Sequence, residues 1–307
     1  MIDRRTLLGA LASAPWAAAA CAETGQPPPR AGAFITSHIP GADRNVPVIG
    51  LGTARRYADP SGDDQWAALR ATLKRFAELG GQVIDTAPSY GRAEEVIGRL
   101  CSELGIRDRL FLATKVGVDN RAEGIAQIEQ SFRNLRTDRI DLIAVHNLRD
   151  ITNELAILRD LKAKGRIRAI GATTSFDNQY ADFEAMMRRE KLDVIQVDYA
   201  LDNRGAGERI LPLAQEQGVA VMINLPFGRG RLFEATKDRP LPDWAAEIDA
   251  TSWAQIFLKY IVSHPCRPIA IPGMAQARHV DDNMGAAHGR LPDQALRRRM
   301  EQYIASL

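Results

Sequence analysis

Three cysteines in 307 residues, Cys21, Cys101 and Cys266, are too few for a disulfide framework in any compartment. The last two fit small buried hydrophobes. Charge of one sign is also lacking: 40 Lys and Arg against 38 Asp and Glu leave a formal net charge of +2. No dense basic block interleaved with aromatics is present, so a phosphate-tracking surface and a nucleic-acid partner are not expected. Arg297-Arg298-Arg299 is the densest basic run, and it reads as the solvated face of a C-terminal amphipathic helix. The five histidines are scattered, with no Cys or Asp at ligand spacing, so no metal is expected. No apolar run is long enough to span a membrane.

What is present begins with a distinct N-terminus. Arg4-Arg5 precedes a modest apolar run that ends in Ala17-Ala18-Ala19-Ala20-Cys21-Ala22. A twin arginine, a weakly hydrophobic core and small residues at the end fit a twin-arginine export leader over 1–22, cut near Ala20-Cys21-Ala22. A second reading makes Cys21 a lipidated first residue of the mature chain, and a third leaves an uncleaved amphipathic helix. Residues 23–32, with Pro27-Pro28-Pro29, read as a linker. The folded unit is expected over 33–307, in the periplasm or secreted.

From Val48 onward, short apolar runs alternate with longer stretches of helical period. Eight runs read as strands: Val48–Leu51, Gln82–Asp85, Leu110–Lys115, Leu142–His146, Ile167–Gly171, Val194–Val197, Ala220–Asn224 and Pro268–Ile271. Continuous apolar strands suit a parallel sheet covered by helices. Trp66–Leu79, Ile125–Leu135, Glu154–Lys164 and Ile210–Gln217 carry apolar residues three and four apart, as amphipathic helices do. Several end in Gly80, Gly165 or Gly218, where glycine accepts the left-handed turn that stops a helix. Eight βα units at this length predict a (β/α)₈ TIM barrel rather than a doubly wound sheet. Ala33–Ser37 and Arg44–Val46 flank Pro40-Gly41-Ala42-Asp43 as a short N-terminal β-hairpin, placed to plug the barrel's N-terminal mouth. The longest irregular stretch is Phe227–Thr251, a candidate lid.

Reacting groups of such barrels sit where strands end. Asp85 closes the second strand with Tyr90 five residues on, Lys115 closes the third and His146 the fourth. Singly, each has a structural reading: a helix cap, a snorkelling lysine, a satisfied core histidine. Together they suit proton donation to a carbonyl oxygen. Lys115 is expected to lower the pKa of Tyr90, Asp85 to hold Lys115 charged, and a neutral His146 to donate to the same oxygen. None of the four supplies hydride, so a cofactor is required.

Gly50-Leu51-Gly52-Thr53, Ile84-Asp85-Thr86-Ala87-Pro88-Ser89-Tyr90-Gly91, Ala113-Thr114-Lys115-Val116 and Asp138 to His146 resemble, in order, the motifs of the aldo-keto reductases. The resemblance runs from Ala33 to the C-terminus. It implies a catalytic tetrad of Asp85, Tyr90, Lys115 and His146 with Tyr90 as general acid, and a reduced nicotinamide, NADP(H) before NAD(H), without a metal. It also implies cofactor contacts at Gly52, Thr53, Thr173, Thr174, Gln196, Phe227, Gly228, Arg229, Gly273, Arg278 and Asn283. Thr173-Thr174 replace a Ser-Asn pair, and Leu225 replaces a serine ahead of the pyrophosphate loop. Gly273, Met274 and His279 stand where many members hold the 2′-phosphate with Lys, Ser or Thr, and Arg; Arg278 is adjacent. The implied substrate is a small aldehyde or ketone, the redox partner that would re-reduce an exported cofactor is open, and a monomer or weak oligomer is expected. A slowly turning nucleotide sensor and a Lys115 Schiff-base aldolase are the alternative functions. Loops Leu201–Gly207 and Phe227–Thr251, with Trp244, are expected to border the substrate pocket, Trp244 doing so unless it anchors the long loop by packing.

Overall fold

The computed structural model describes residues 32–307. The expected leader and linker therefore lie outside the described residues. The chain opens with a hairpin of β1 (Thr36–Ile39) and β2 (Arg44–Pro47), paired antiparallel from Thr36↔Pro47 to Ile39↔Arg44 around a single 3₁₀ turn. Its first strand starts later than the sequence pattern suggested. Eight parallel strands follow in sequential order: β3 (Leu51–Gly52), β4 (Val83–Asp85), β5 (Phe111–Val116), β6 (Ile140–His146), β7 (Ile167–Thr173), β8 (Val194–Asp198), β9 (Ala220–Asn224) and β10 (Ile269–Ala270). Parallel bridges Ile49↔Ala270 and Gly52↔Gly273 join the last strand to the first, which closes the sheet into a barrel.

Helices α1 (Gly62–Glu78), α2 (Ala93–Leu104), α3 (Arg121–Asn134), α4 (Ile151–Ala163), α5 (Tyr180–Arg189) and α6 (Ala206–Gln217) connect successive strands. Gly80, Gly165 and Gly218 do adopt the left-handed turn, with φ of 79°, 71° and 66°. The stretch 227–251 is not the irregular lid expected. It folds into a 3₁₀ turn at Gly228–Gly230, the short α7 (Arg231–Ala235) and a 3₁₀ helix at Asp243–Ile248. Trp244 is buried and meets Tyr303 edge-on at 6.1 Å, so it anchors the segment by packing and does not border the pocket. α8 (Trp253–Val262) precedes β10, and α9 (Ala277–Gly285) and α10 (Gln294–Ala305) complete the wall. No described helix is long and apolar enough to cross a membrane.

Side chains alternate across a strand, so every second residue faces the barrel interior. Val83, Phe111, Leu142, Ala169, Val194 and Met222 form an apolar layer with Ile39 and Val46 of the hairpin. The hairpin thus plugs the N-terminal mouth. Arg44 fastens it there, donating to Gln82 Oε1 at 2.9 Å and to the carbonyls of Arg109 and Leu110 at 2.7 and 3.2 Å. Asp141 supports the same end: its carboxylate accepts from Leu112 N at 2.9 Å and pairs with Arg107 and Arg168. Cys101 is buried, and burial pushes both its thiol and that of Cys266 up to about 12, which keeps them protonated.

One buried carboxyl lies outside these networks. Glu154, in the first turn of α4, is fully enclosed, and neither carboxylate oxygen has a hydrogen-bond partner. Gly124 of α3 makes the room: a Cβ there would stand 2.6 Å from Oε1. Burial first, then the charge of Asp150, pushes Glu154 up to about 7, with Arg121 opposing. A folded-state pKa above the unfolded one gives stability that is complete below about pH 4.5 and lost as pH rises through about 7. Glu154→Gln, which stays neutral, should therefore raise Tm by several degrees at pH 8 and by little at pH 5. Thermal melts at the two pH values check this, and an equal shift at both would refute the assignment.

Candidate active site

Continuing each strand past the apolar layer in steps of two leads to a polar ring at the C-terminal mouth. The steps run from Val83 to Asp85, Phe111 to Lys115, Leu142 to His146, Ala169 to Thr173, Val194 to Gln196 and Met222 to Asn224. Asp85, Lys115 and His146 thus arrive together from three adjacent strands, as their strand-end positions suggested.

Lys115 and Asp85 are only 2% and 4% exposed. The ammonium Nζ donates to both carboxylate oxygens of Asp85, at 2.8 and 2.9 Å, and to the carbonyl of Thr86 at 2.8 Å. An ammonium has three protons, and all are used. Burial pulls the lysine pKa down, but the carboxylate of Asp85 and then Tyr90 hold it above its ordinary value. Lys115 is a fixed positive charge.

Tyr90 follows in a tight turn, its N–H bonded to Ala87 O at 3.0 Å, with Gly91 (φ 60°) behind it. Its ring centroid is 5.0 Å from Lys115 Nζ and 6.2 Å from the His146 ring, which it meets edge-on. The expected lowering of the Tyr90 pKa is not found. Burial raises it, and raises it by more than the charge of Lys115 lowers it, because Asp85 neutralises that charge at contact distance and itself pushes in the same direction as burial. Tyr90 is held as a protonated phenol. His146 is pushed down to about 4, by burial and then by Lys115, so it is neutral at pH 7.

Asp85 and Tyr90 open into a cavity of about 310 Å³ bounded also by Thr53, Arg55, Arg56, Asn224, Phe227 and Gly273, among others. Of the expected cofactor contacts, Gly52, Thr53, Phe227, Arg229 and Gly273 border it. Gly52 also serves closure: a Cβ there would stand 2.7 Å from Ile271 O. The hydroxyl of Thr53 is committed to Asp85 O at 2.9 Å. Thr173, Gln196 and Asn283 are buried, and their side chains form no hydrogen bond among the described residues. Thr174 departs from expectation. Its hydroxyl donates to Gln179 Oε1 at 2.6 Å and accepts from Phe176 N at 3.1 Å, so it braces the turn after β7 instead of remaining free for an amide.

Leu225, Gly228, Arg229 and Gly230 all have positive φ, so the loop after β9 winds into a backbone concavity of the kind that holds anions. Residues 201–207 support this loop and do not border the cavity: Asp202 fills the space beside Gly228 and pairs with Arg231 at 2.8 Å. Arg278 is exposed in the first turn of α9. Asn224 was missed in the sequence, although the two-residue step from Met222 marks it. Its Oδ1 is enclosed without a partner, at the edge of the cavity.

Barrel, plug and mouth define a class of protein with a buried ion pair set beside a protonated tyrosine at the mouth of a (β/α)₈ barrel. The model of the aldo/keto reductase family matches residues 48–303, and the chain belongs to that family. It is therefore an oxidoreductase of the aldo-keto type. It is 34% identical to the aldo-keto reductase YhdN of Bacillus subtilis over 60% of this chain and 59% of that protein. It is 33% identical to the methylglyoxal reductase YeaE of Escherichia coli over 78% of this chain and 85% of that one. Among solved structures, an aldo/keto reductase of Klebsiella pneumoniae in complex with NADP and acetate superposes with a TM-score of 0.75 at 28% identity, covering 89% of this chain and 96% of that one.

Gly117 gives the site a test. A Cβ there would stand 2.9 Å from the Cβ of His146, too close for either to stay in place. Gly117→Ala should displace His146 and lower kcat about tenfold or more while NADPH affinity holds. Single-turnover kinetics beside nucleotide titration check this; unchanged kcat would show that the position of His146 does not matter.

Proposed function

We propose that this chain reduces aldehyde or ketone carbonyls with a reduced nicotinamide nucleotide, Tyr90 supplying the proton. The observation that carries the reading is the Lys115–Asp85 pair buried against a protonated Tyr90, with a neutral His146 beside it. A nicotinamide nucleotide suits the donor set: Thr173, Gln196 and Asn283 are buried with unused hydrogen-bonding groups, Asn224 Oδ1 lacks a partner, and the concave loop from Leu225 to Gly230 suits a pyrophosphate. When bound, the nucleotide supplies hydride. The carbonyl oxygen lies between Tyr90 and His146. His146 donates a hydrogen bond that orients this oxygen and meets its growing charge, and Tyr90 releases its proton to it. The charge of Lys115 stabilises the phenolate left behind.

We assign NADP(H) ahead of NAD(H). Arg229 and Arg278, neither in an ion pair among the described residues, are the candidate phosphate ligands, and the Klebsiella relative is in complex with NADP. The substrate is a small carbonyl compound. Localisation follows from the N-terminal pattern: export through a twin-arginine route, folded with its nucleotide, to the periplasm or beyond, with a monomer or weak oligomer working beside a redox partner. Anchoring through a lipidated Cys21 is the second route. The second functional reading, a nucleotide sensor with slow turnover, is favoured by one observation, the commitment of the Thr174 hydroxyl to Gln179.

Titration of NADPH by tryptophan quenching, with wild type and Tyr90→Phe, separates these. Micromolar binding by both proteins, with carbonyl-dependent NADPH oxidation reduced at least about a hundredfold in the variant, is the expected result. Binding without oxidation in wild type would favour the sensor. Absence of binding by either protein sinks hydride transfer.

A further inference from the structure

Helices α3 and α4 pack against each other, and each begins where a turn beside His146 ends. Glu154 lies in the seam between them, in the first turn of α4 and opposite Gly124 in the first turn of α3. The side chain is fully enclosed, and neither carboxyl oxygen has a hydrogen-bond partner. The charged groups that face it are Asp150, from the turn before α4, and Arg121, from the start of α3; Glu123 of α3 faces Arg149 instead. A carboxyl can occupy such a place far more easily with its proton than without it.

The turn that α4 continues is held under strain. Asn147, Leu148 and Asp150 have φ of 55°, 59° and 43°, in the left-handed region that a leucine avoids. Arg149 supplies the restraint. Its guanidinium donates to both carboxylate oxygens of Asp119, at 2.8 and 2.6 Å, and its backbone N–H donates to His146 O at 3.2 Å. Gly117, in the turn before α3, abuts the Cβ of His146, and its N–H donates to Gln127 Oε1 of α3 at 2.9 Å. His146 therefore takes its position from the spacing of two turns, and the seam between α3 and α4 sets that spacing.

We propose that neutral Glu154 is a positioning residue for His146: it lets the first turns of α3 and α4 close on each other, and its ionisation parts them, relaxes the turn from Asn147 to Asp150 and withdraws the imidazole from the reacting carbonyl. The inference rests on the carbonyl-reduction reading above and adds a proton-controlled step to it. Once ionised, the carboxylate has no donor where it lies, Asp150 repels it, and Gly124 offers it no side chain. Arg121 is exposed, so the carboxylate meets that charge, or water, by leaving the seam. Burial and then Asp150 hold Glu154 at about 7 instead of 4.5, so ionisation can shift the balance between closed and opened seam by up to about two orders of magnitude. The closed form prevails below about 7 and loses ground above it. Strain in the turn narrows the gap that this shift must overcome. Tyr90, Lys115 and His146 keep one protonation state across the same range, burial and charge having moved them away from it.

The experiment compares wild type with Glu154→Gln, whose side chain has the same shape and stays neutral, at about pH 5.5 and about pH 8.5. Three quantities are measured: kcat for NADPH-dependent reduction of glyceraldehyde and benzaldehyde, NADPH affinity by tryptophan quenching, and backbone hydrogen exchange by mass spectrometry over residues 146–154, with 140–145 of β6 as reference. Wild-type kcat should fall about tenfold or more from the lower pH to the higher and recover on back-titration, while the variant stays within about twofold of the wild-type value at the lower pH. NADPH affinity should be equal in the two proteins at each pH. Exchange over 146–154 should be about tenfold faster in wild type than in the variant at the higher pH and equal at the lower, with 140–145 alike throughout. A flat wild-type profile overturns the proposal. So does an alkaline fall that persists in the variant, which would belong to Asp198 or Lys259, moved by burial to about 6 and about 8. Equal exchange in the two proteins at the higher pH also overturns it, as does faster wild-type exchange in 140–145, which would mean a general loosening of the barrel. If wild type oxidises NADPH with neither aldehyde, the carbonyl-reduction reading fails, and the exchange comparison alone then decides whether Glu154 holds the turn.

Discussion

The pairing of Lys115 with Asp85 is the constraint on which the mouth of the barrel depends. Each side chain is enclosed, and each alone would be an uncompensated charge in a low-dielectric setting. Removing one partner of such a pair costs about 3–5 kcal/mol, yet replacing both by well-packed apolar residues is often harmless. The pair is therefore weak evidence of a contribution to stability. What it provides is a positive charge that cannot move: three donated hydrogen bonds, two to Asp85 and one to Thr86, hold Nζ 5.0 Å from the Tyr90 ring. Those bonds also draw β4, β5 and the turn after β4 into register, so the turn bearing Tyr90 inherits its position from the ion pair.

The rest of the site follows from strand parity. An apolar layer closed by Ile39 and Val46 gives way, two or four residues further along each strand, to carboxylate, ammonium, imidazole, hydroxyl and amide. Below, the side chains fill the barrel as a core does; above, they face a cavity. The change from apolar to polar on a single strand is the physical boundary between the part that holds the barrel together and the part that acts.

Much of this was legible in the residues themselves. Eight apolar runs with glycine stops carried the barrel, and three titratable residues at consecutive strand ends, with Tyr90 close behind, carried the site. Asn224 obeyed the same parity and could have been found by counting back to Met222. Other features were not legible, for identifiable reasons. Trp244 and Thr174 have two plausible partners each, and only packing against Tyr303 and a 2.6 Å bond to Gln179 decide between them. The direction of the Tyr90 shift depends on a contest between burial and a charge already neutralised by a neighbour, and residue identity does not set its outcome.

That contest bears on how the tyrosine would act as an acid in the proposed reduction. A donor need not have its pKa brought down to neutrality; it need only be a stronger acid than the group it protonates. An alkoxide forming from a carbonyl is far more basic than a phenolate, even one whose pKa is raised by burial. A raised value also ensures that the proton is present when the carbonyl arrives, where a phenol tuned to neutrality would have lost half of its protons. Lys115 then acts on the difference between states. Its charge does little for a neutral phenol and much for the anion that remains, while a neutral His146 adds a donor without adding a second positive charge. Burial and the ion pair oppose each other in the resting phenol, but the ion pair alone favours the phenolate that follows proton transfer.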